Sequence, residues 1–127
     1  MRPHRLIAAA ALVTVATVAL IAAACSGGND APAVTYEGLD GASLYSQACA
    51  RCHGVDLTGT NQGPPFLDAT YTPGHHADAS FLLAARGGAP SHHWNFGPMP
   101  PVPGLSDEQI EAIVDFVRTQ QRAAGFD

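Results

Sequence analysis

The stretch Cys49-Ala50-Arg51-Cys52-His53 determines how the rest of the sequence is interpreted. It places two thiols three positions apart and an imidazole directly after the second thiol. On a short helix, such thiols can bond both vinyl groups of one porphyrin, and the adjacent imidazole can then coordinate the iron. The pattern therefore predicts covalent attachment of one haem through Cys49 and Cys52, with His53 as an axial ligand.

Two other interpretations of the cysteine pair stay open. The pair can form half of a zinc site, completed by His75-His76 or His92-His93. It can also be a dithiol redox centre, although that chemistry usually sits in a strand-helix context of thioredoxin type, and the sequence contains no convincing strand. Haem attachment is favoured because the motif lies in a chain with an export leader.

That leader occupies residues 1–24. Arg2 and Arg5 precede an apolar run, residues 6–24, that has no ionisable side chain. This is the layout of an export signal, although the run is also long enough to cross a bilayer if it is not cleaved. Cys25 follows three alanines in a setting that resembles the lipobox of bacterial lipoproteins, so we favour lipidation of Cys25. An uncleaved anchor helix and a cleaved, unlipidated chain remain alternatives.

The balance of acidic and basic residues limits the classes of macromolecule that the protein is expected to bind. The 127 residues carry a formal net charge of −5 and no lysine. Without the leader, four arginines face eleven acidic residues, which gives −7. Nucleic-acid binding relies on clustered Lys and Arg and is excluded on this ground. We expect instead membrane-bound redox partners that present a basic docking patch.

Beyond the leader, residues 25–39 are predicted to be a flexible tether, residues 40–121 the folded domain and residues 122–127 a C-terminal tail. A domain of roughly 80 residues is only marginally stable on an ordinary core, and a haem packed inside would supply the missing stabilisation.

Helices are predicted over residues 42–50, 79–86 and 107–121. The last helix begins with a capping box formed by Ser106 and Gln109. Its apolar residues recur at helical spacing and comprise Ile110, Ile113, Val114, Phe116 and Val117. Residues 54–72 are predicted to be a long polar loop.

Residues 89–104 contain five prolines and are predicted to be irregular. Met99 lies among them, between Pro98 and Pro100, and it is the only thioether left once Met1 is removed with the leader. The fixed dihedrals of the prolines can hold such a side chain over a haem without helical support. His92 and His93 lie six and seven residues earlier and are alternative iron ligands.

Four pieces of sequence, in this order, resemble the small class I cytochromes c, and together they cover residues 40–121. The pieces are Gly41-x-x-x-Tyr45-x-x-x-Cys49-x-x-Cys52-His53-Gly54, then Gly63-Pro64-Pro65-Phe66-Leu67, then Gly97-Pro98-Met99-Pro100-Pro101, and the terminal helix.

The resemblance implies an all-α cytochrome c fold of three to four short helices packed around one covalently bound haem c. It implies that Met99 is the second axial ligand and that the Pro64 carbonyl accepts a hydrogen bond from His53. Trp94 and Tyr71 are expected to pack against the porphyrin or to donate to a haem propionate.

The resemblance also implies that the first helix crosses the last, with Gly41 and Tyr45 facing Ile113 and Phe116.

The implied function is electron transfer, without catalysis, between membrane respiratory or dehydrogenase components. The implied location is the outer face of the cytoplasmic membrane or the periplasm. Two alternatives are a gas-binding or catalytic haem subunit with an open sixth iron position, and a non-haem metal or thiol-redox module.

Overall fold

Residues 33–126 are described by a computed structural model, and the leader and Cys25 lie outside them. The described residues form four α-helices, one short 3-10 helix and no strand. The elements are α1 (Gly41–Ala48), α2 (Ala50–His53), the 3-10 helix (Ala69–Tyr71), α3 (Asp78–Gly87) and α4 (Asp107–Ala123). The prediction of an all-α fold with three to four helices is confirmed.

Helix α1 ends earlier than the sequence predicts. Its start is capped by Asp40, whose carboxylate accepts from the backbone N–H groups of Ala42 and Ser43 at 3.1 and 3.5 Å. The helix predicted over residues 42–50 stops at Ala48, because Cys49 has φ −119° and ψ −37°. The chain therefore turns at Cys49 and begins the separate helix α2.

Helix α4 begins as predicted. Both hydrogen bonds of the capping box between Ser106 and Gln109 are present. The amide of Gln109 also donates to the carbonyls of Tyr36 and Gly38, at 2.9 and 3.1 Å. Part of the predicted tether, residues 25–39, therefore contacts the start of α4. At its other end, the helix continues to Ala123, past its predicted end near residue 121.

Helices α1 and α4 cross in close contact, as the sequence predicts. A Cβ atom at Gly41 would lie 2.1 Å from the carbonyl oxygen of Ala112 and 3.0 Å from the Cβ of Phe116. One turn later, the rings of Tyr45 and Phe116 are 5.4 Å apart between centroids. Ile113 belongs to the same buried core, whose other members include Leu44, Ala50, Leu57, Phe66 and Val117.

Two loops contain local structure that the sequence does not predict. The loop over residues 54–72 includes the 3-10 helix Ala69–Tyr71, which is capped by Asp68 through a 2.8 Å bond from the Thr70 N–H. In the proline-rich segment, Ala89 and Met99 form an isolated antiparallel bridge. Both features depend on hydrogen bonds between particular residues, and the spacing of apolar residues along the chain does not encode such bonds.

No helix within residues 33–126 is long and apolar enough to span a bilayer.

Replacing Gly41 with Ala tests the helix crossing. The new methyl group would overlap the Ala112 carbonyl, so we expect the free energy of unfolding to fall by about 1 to 3 kcal/mol in guanidinium titrations of the holoprotein. Gly74→Ala is the matched control, because nothing lies within 4 Å of a Cβ at Gly74. Equal stability of the two variants would show that the helices do not approach as described.

Candidate functional site

Helix α2 and the residue that caps its start, Cys49, present the two thiols and the imidazole within a single turn. The N–H groups of Cys52 and His53 both bond to the carbonyl of Cys49, at 3.1 and 3.0 Å. Both cysteines are free and half-buried. Burial, reinforced by the neighbouring Cys52, raises the pKa of the Cys49 thiol to about 11. The Cys49 thiol is therefore protonated at neutral pH. Neither Cys49 nor Cys52 is in a disulfide, so both sulfur atoms are available for thioether bonds.

His53 is held in one orientation. Its Nδ1 lies 2.9 Å from the carbonyl oxygen of Pro64, and its ring stacks on Phe66 with centroids 4.1 Å apart and planes at 15°. Burial lowers the pKa of His53, and the bond to Pro64 only partly opposes that shift. Because a carbonyl can only accept, Nδ1 carries the proton in this bond. The Nε2 lone pair is then free to bind a metal.

The loop that carries Pro64 passes close to α2. The Thr60 hydroxyl donates to the Cys52 carbonyl at 2.7 Å, and the Gly59 N–H donates to the His53 carbonyl at 2.8 Å. A Cβ at Gly63 would lie 2.8 Å from the Cys52 carbonyl oxygen, so only glycine fits there without a shift. These contacts place the carbonyl of Pro64 at His53.

On the other side of α2, the buried Tyr45 hydroxyl donates to the Gly54 carbonyl at 2.6 Å. Helix α1 therefore supports the residue at which α2 ends.

A cavity of about 600 Å³ opens beside His53. This volume lies within the range of about 300 to 1,000 Å³ that is typical of ligand and cofactor sites. Apolar side chains from α3 and α4 contribute to its wall, among them Phe81, Ile113 and Val114. All the residues that the sequence analysis assigns to the haem site line this cavity: Cys49, Cys52, His53, Pro64, Tyr71, Trp94 and Met99.

Met99 is fixed by backbone hydrogen bonds as well as by its neighbouring prolines. Its N–H and carbonyl pair with those of Ala89, at 2.8 and 3.0 Å. Gly88 makes this approach possible, because its φ is +77° and a Cβ there would lie 2.6 Å from the Met99 carbonyl oxygen. The end of α3 therefore positions the segment that carries the thioether.

Trp94 and Tyr71 line another part of the wall. The indole Nε1 of Trp94 is buried and has no hydrogen-bond partner among the described residues. Tyr71 packs edge-on against Phe66, with centroids 5.2 Å apart. Burial raises the pKa of Tyr71, and the indole N–H of Trp94 is close enough to offset part of that rise without meeting hydrogen-bond geometry with the Tyr71 hydroxyl. An unpaired buried donor is costly, so Trp94 Nε1 points to an acceptor that a ligand would supply.

Arg118 holds the wall that contains Tyr71, a role that the sequence analysis missed. Its side chain is 5% exposed and donates to the carbonyls of Tyr71, at 2.6 Å, and His76. It also forms an ion pair with Asp78 at 2.7 Å. The sequence shows only an arginine near a helix end, because its partners lie 40 to 47 positions away.

The cavity and its donors fit a haem. Paired thiols, an oriented imidazole, a thioether and an unpaired indole N–H line one largely apolar cavity. A comparison with known protein families matches residues 39–121 to the family described as Cytochrome c. The chain belongs to the cytochrome c family. Members of this family bind covalent haem c and transfer electrons, and the match confirms the predicted cytochrome c fold. No curated protein and no solved structure matches the chain significantly.

Proposed function

We propose that this cytochrome c carries one electron at a time on a single haem c, with His53 and Met99 as axial ligands, between membrane-bound oxidoreductases. The observation that carries the proposal is that two thiols, an imidazole and a thioether line the same cavity. When bound, the haem supplies a one-electron couple between ferrous and ferric iron.

The protein's own residues have distinct tasks in this proposal. Cys49 and Cys52 hold the cofactor through thioether bonds, so it stays with a small domain in both oxidation states. His53 presents Nε2 to the iron, and Pro64 fixes its ring and raises its basicity. Trp94 donates its unpaired N–H to a propionate. The apolar wall from α3 and α4 excludes water.

Two observations favour Met99 over His92 and His93 as the second ligand. Met99 is half-buried and its backbone is bridged to Ala89, whereas both histidines are exposed. His92 and His93 also line the cavity, but their Nε2 atoms face other histidine rings, and His92 Nδ1 faces the Pro90 carbonyl. A thioether ligand also shifts the potential upward relative to two imidazoles.

Met99→Ala tests this ligand. We expect loss of the far-red sulfur-to-iron charge-transfer band, a high-spin ferric spectrum, rapid carbon monoxide binding after reduction and a lower potential. The matched control is Asn95→Ala, an exposed position in the same segment that is not among the residues lining the cavity. An unchanged low-spin spectrum in Met99→Ala would exclude Met99. Rapid carbon monoxide binding by the unmodified protein would instead favour a gas-binding haem with an open position.

The proposed partner presents positive charge. Two of the four arginines outside the leader form ion pairs, Arg86 with Asp107 and Arg118 with Asp78. Among residues 33–126, most of the acidic side chains form no such ion pair, and those exposed include Asp56, Glu108, Glu111 and Asp115. The remaining field is negative, so it attracts a basic docking surface.

Stopped-flow kinetics with two small redox reagents test the sign of this field. Oxidation of the ferrous protein by tris(1,10-phenanthroline)cobalt(III), a cation, should slow several-fold as salt is raised from low ionic strength. Oxidation by ferricyanide, an anion, should accelerate over the same range, because salt screens attraction and repulsion alike. If both rates followed the opposite trends, the electron-transfer face would be basic and the proposed partner class wrong.

We also propose that the domain is exported and tethered to the membrane by lipid on Cys25. The support is the sequence alone, since Cys25 lies outside the described residues. A tether raises the effective concentration of the carrier near membrane-bound partners.

Cys25→Ser removes the acceptor of the lipid, so we expect the protein to move from the membrane pellet to the soluble fraction. Ser26→Ala, which keeps the cysteine, should stay in the pellet. A Cys25→Ser protein that still pellets, after mass spectrometry has shown that its leader is removed, would exclude the lipid tether.

A further inference from the structure

Four histidines from two separate loops converge beside the cavity, and three of them, His76, His92 and His93, line it. His75 and His76 precede α3, and His92 and His93 follow it. The Nε2 atoms of His75 and His93 are 3.0 Å apart, and those of His76 and His92 are 3.4 Å apart. The metal-binding nitrogens of His75, His76 and His93 all lie within 4.8 Å of one another, and His92 joins this group of three through His76.

The hydrogen bonds made by the Nδ1 atoms of His76 and His92 determine which ring nitrogen carries the lone pair in each of these histidines. His76 Nδ1 lies 2.6 Å from the Thr70 carbonyl oxygen, and His92 Nδ1 lies 2.9 Å from that of Pro90. Since a carbonyl only accepts, each Nδ1 carries a proton, and in a neutral ring each Nε2 then has an unshared pair. Two unshared pairs facing each other at 3.4 Å repel unless a cation lies between them.

A metal ion satisfies this arrangement better than a proton. With zinc-to-nitrogen bonds of about 2.0 to 2.1 Å and tetrahedral angles, neighbouring ligand nitrogens are about 3.3 Å apart, which is close to the two Nε2 separations here. Metal-bound histidines also donate the other ring N–H to a carbonyl or carboxylate, as His76 and His92 do.

One side of the cluster is firmly supported. The ring of His76 stacks on Tyr71, with centroids 4.9 Å apart and planes at 28°. Arg118 binds the backbone carbonyls of both residues. The half of the site formed by His76 is therefore set in place before any ion binds, which reduces the ordering that binding must impose.

We propose that His75, His76, His92 and His93 bind one divalent transition-metal ion, Cu²⁺ or Zn²⁺, at the rim of the haem cavity. Imidazole nitrogen suits both ions, and Cu²⁺ should bind more tightly than Zn²⁺. This site lies beyond the proposed electron transfer, and it rests on the proposed iron coordination in one respect, because neither His92 nor His93 can then be the iron ligand.

Calorimetric titration of the full-length ferric holoprotein in detergent, prepared without a polyhistidine tag, tests the site with CuCl₂ and ZnCl₂. The ferric state prevents reduction of copper by the haem. We expect one saturable equivalent of either ion, with Cu²⁺ the tighter, and electron paramagnetic resonance of bound Cu²⁺ should show coupling to imidazole nitrogens. His75→Asn combined with His93→Asn should weaken binding at least tenfold, whereas Glu111→Gln, which removes an exposed carboxylate on α4, should not.

Two results would overturn the proposal. The first is no saturable binding, or equal binding by the double variant and by the unmodified protein. The second is a change of the haem spectrum in the double variant, because the histidines would then belong to the iron. Failure of the Met99 proposal would be seen in a different measurement, the haem spectrum of Met99→Ala recorded without added metal. The failures of the two proposals can therefore be distinguished.

Discussion

The hydrogen bond between His53 Nδ1 and the Pro64 carbonyl is the contact on which the site depends. It fixes the tautomer and the ring plane of the proximal imidazole, so a lone pair is held ready in a buried setting. This hydrogen bond requires the loop that carries Pro64 to pass within van der Waals distance of α2. The glycine at position 63 permits that close approach. The same constraint places Phe66 against the imidazole and so joins the cofactor site to the core.

The two walls of the cavity are built differently. The wall from α2 is a single helical turn that carries the attachment chemistry, and Tyr45 supports it from α1. The part that carries Met99 relies on irregular backbone, in which the bridge between Ala89 and Met99 and the left-handed turn at Gly88 replace a helix. Small domains gain much of their stability from such a shared centre, because about 80 residues bury too little apolar surface without it.

Features coded within one turn of chain could be predicted from the sequence. The cysteine-histidine motif and the capping box at Ser106 are of this kind. The hydrogen bond between His53 and Pro64 is predicted only by resemblance to the cytochromes c, since the length of the loop between the two residues does not determine which carbonyl meets the imidazole. The break at Cys49, the contacts of Arg118 and the meeting of His75 with His93 depend on single dihedral angles or on distant partners. No periodic pattern along the chain encodes them.

Iron K-edge X-ray absorption of the full-length holoprotein tests the central claim most directly, because it reports the atoms bonded to the iron whatever their surroundings. We predict a nitrogen shell from the porphyrin and one imidazole, together with one sulfur scatterer, in both oxidation states. A shell of nitrogen alone with six neighbours would mean that a second histidine binds the iron. A five-coordinate iron would mean that the position is open, and either result would contradict the proposed carrier.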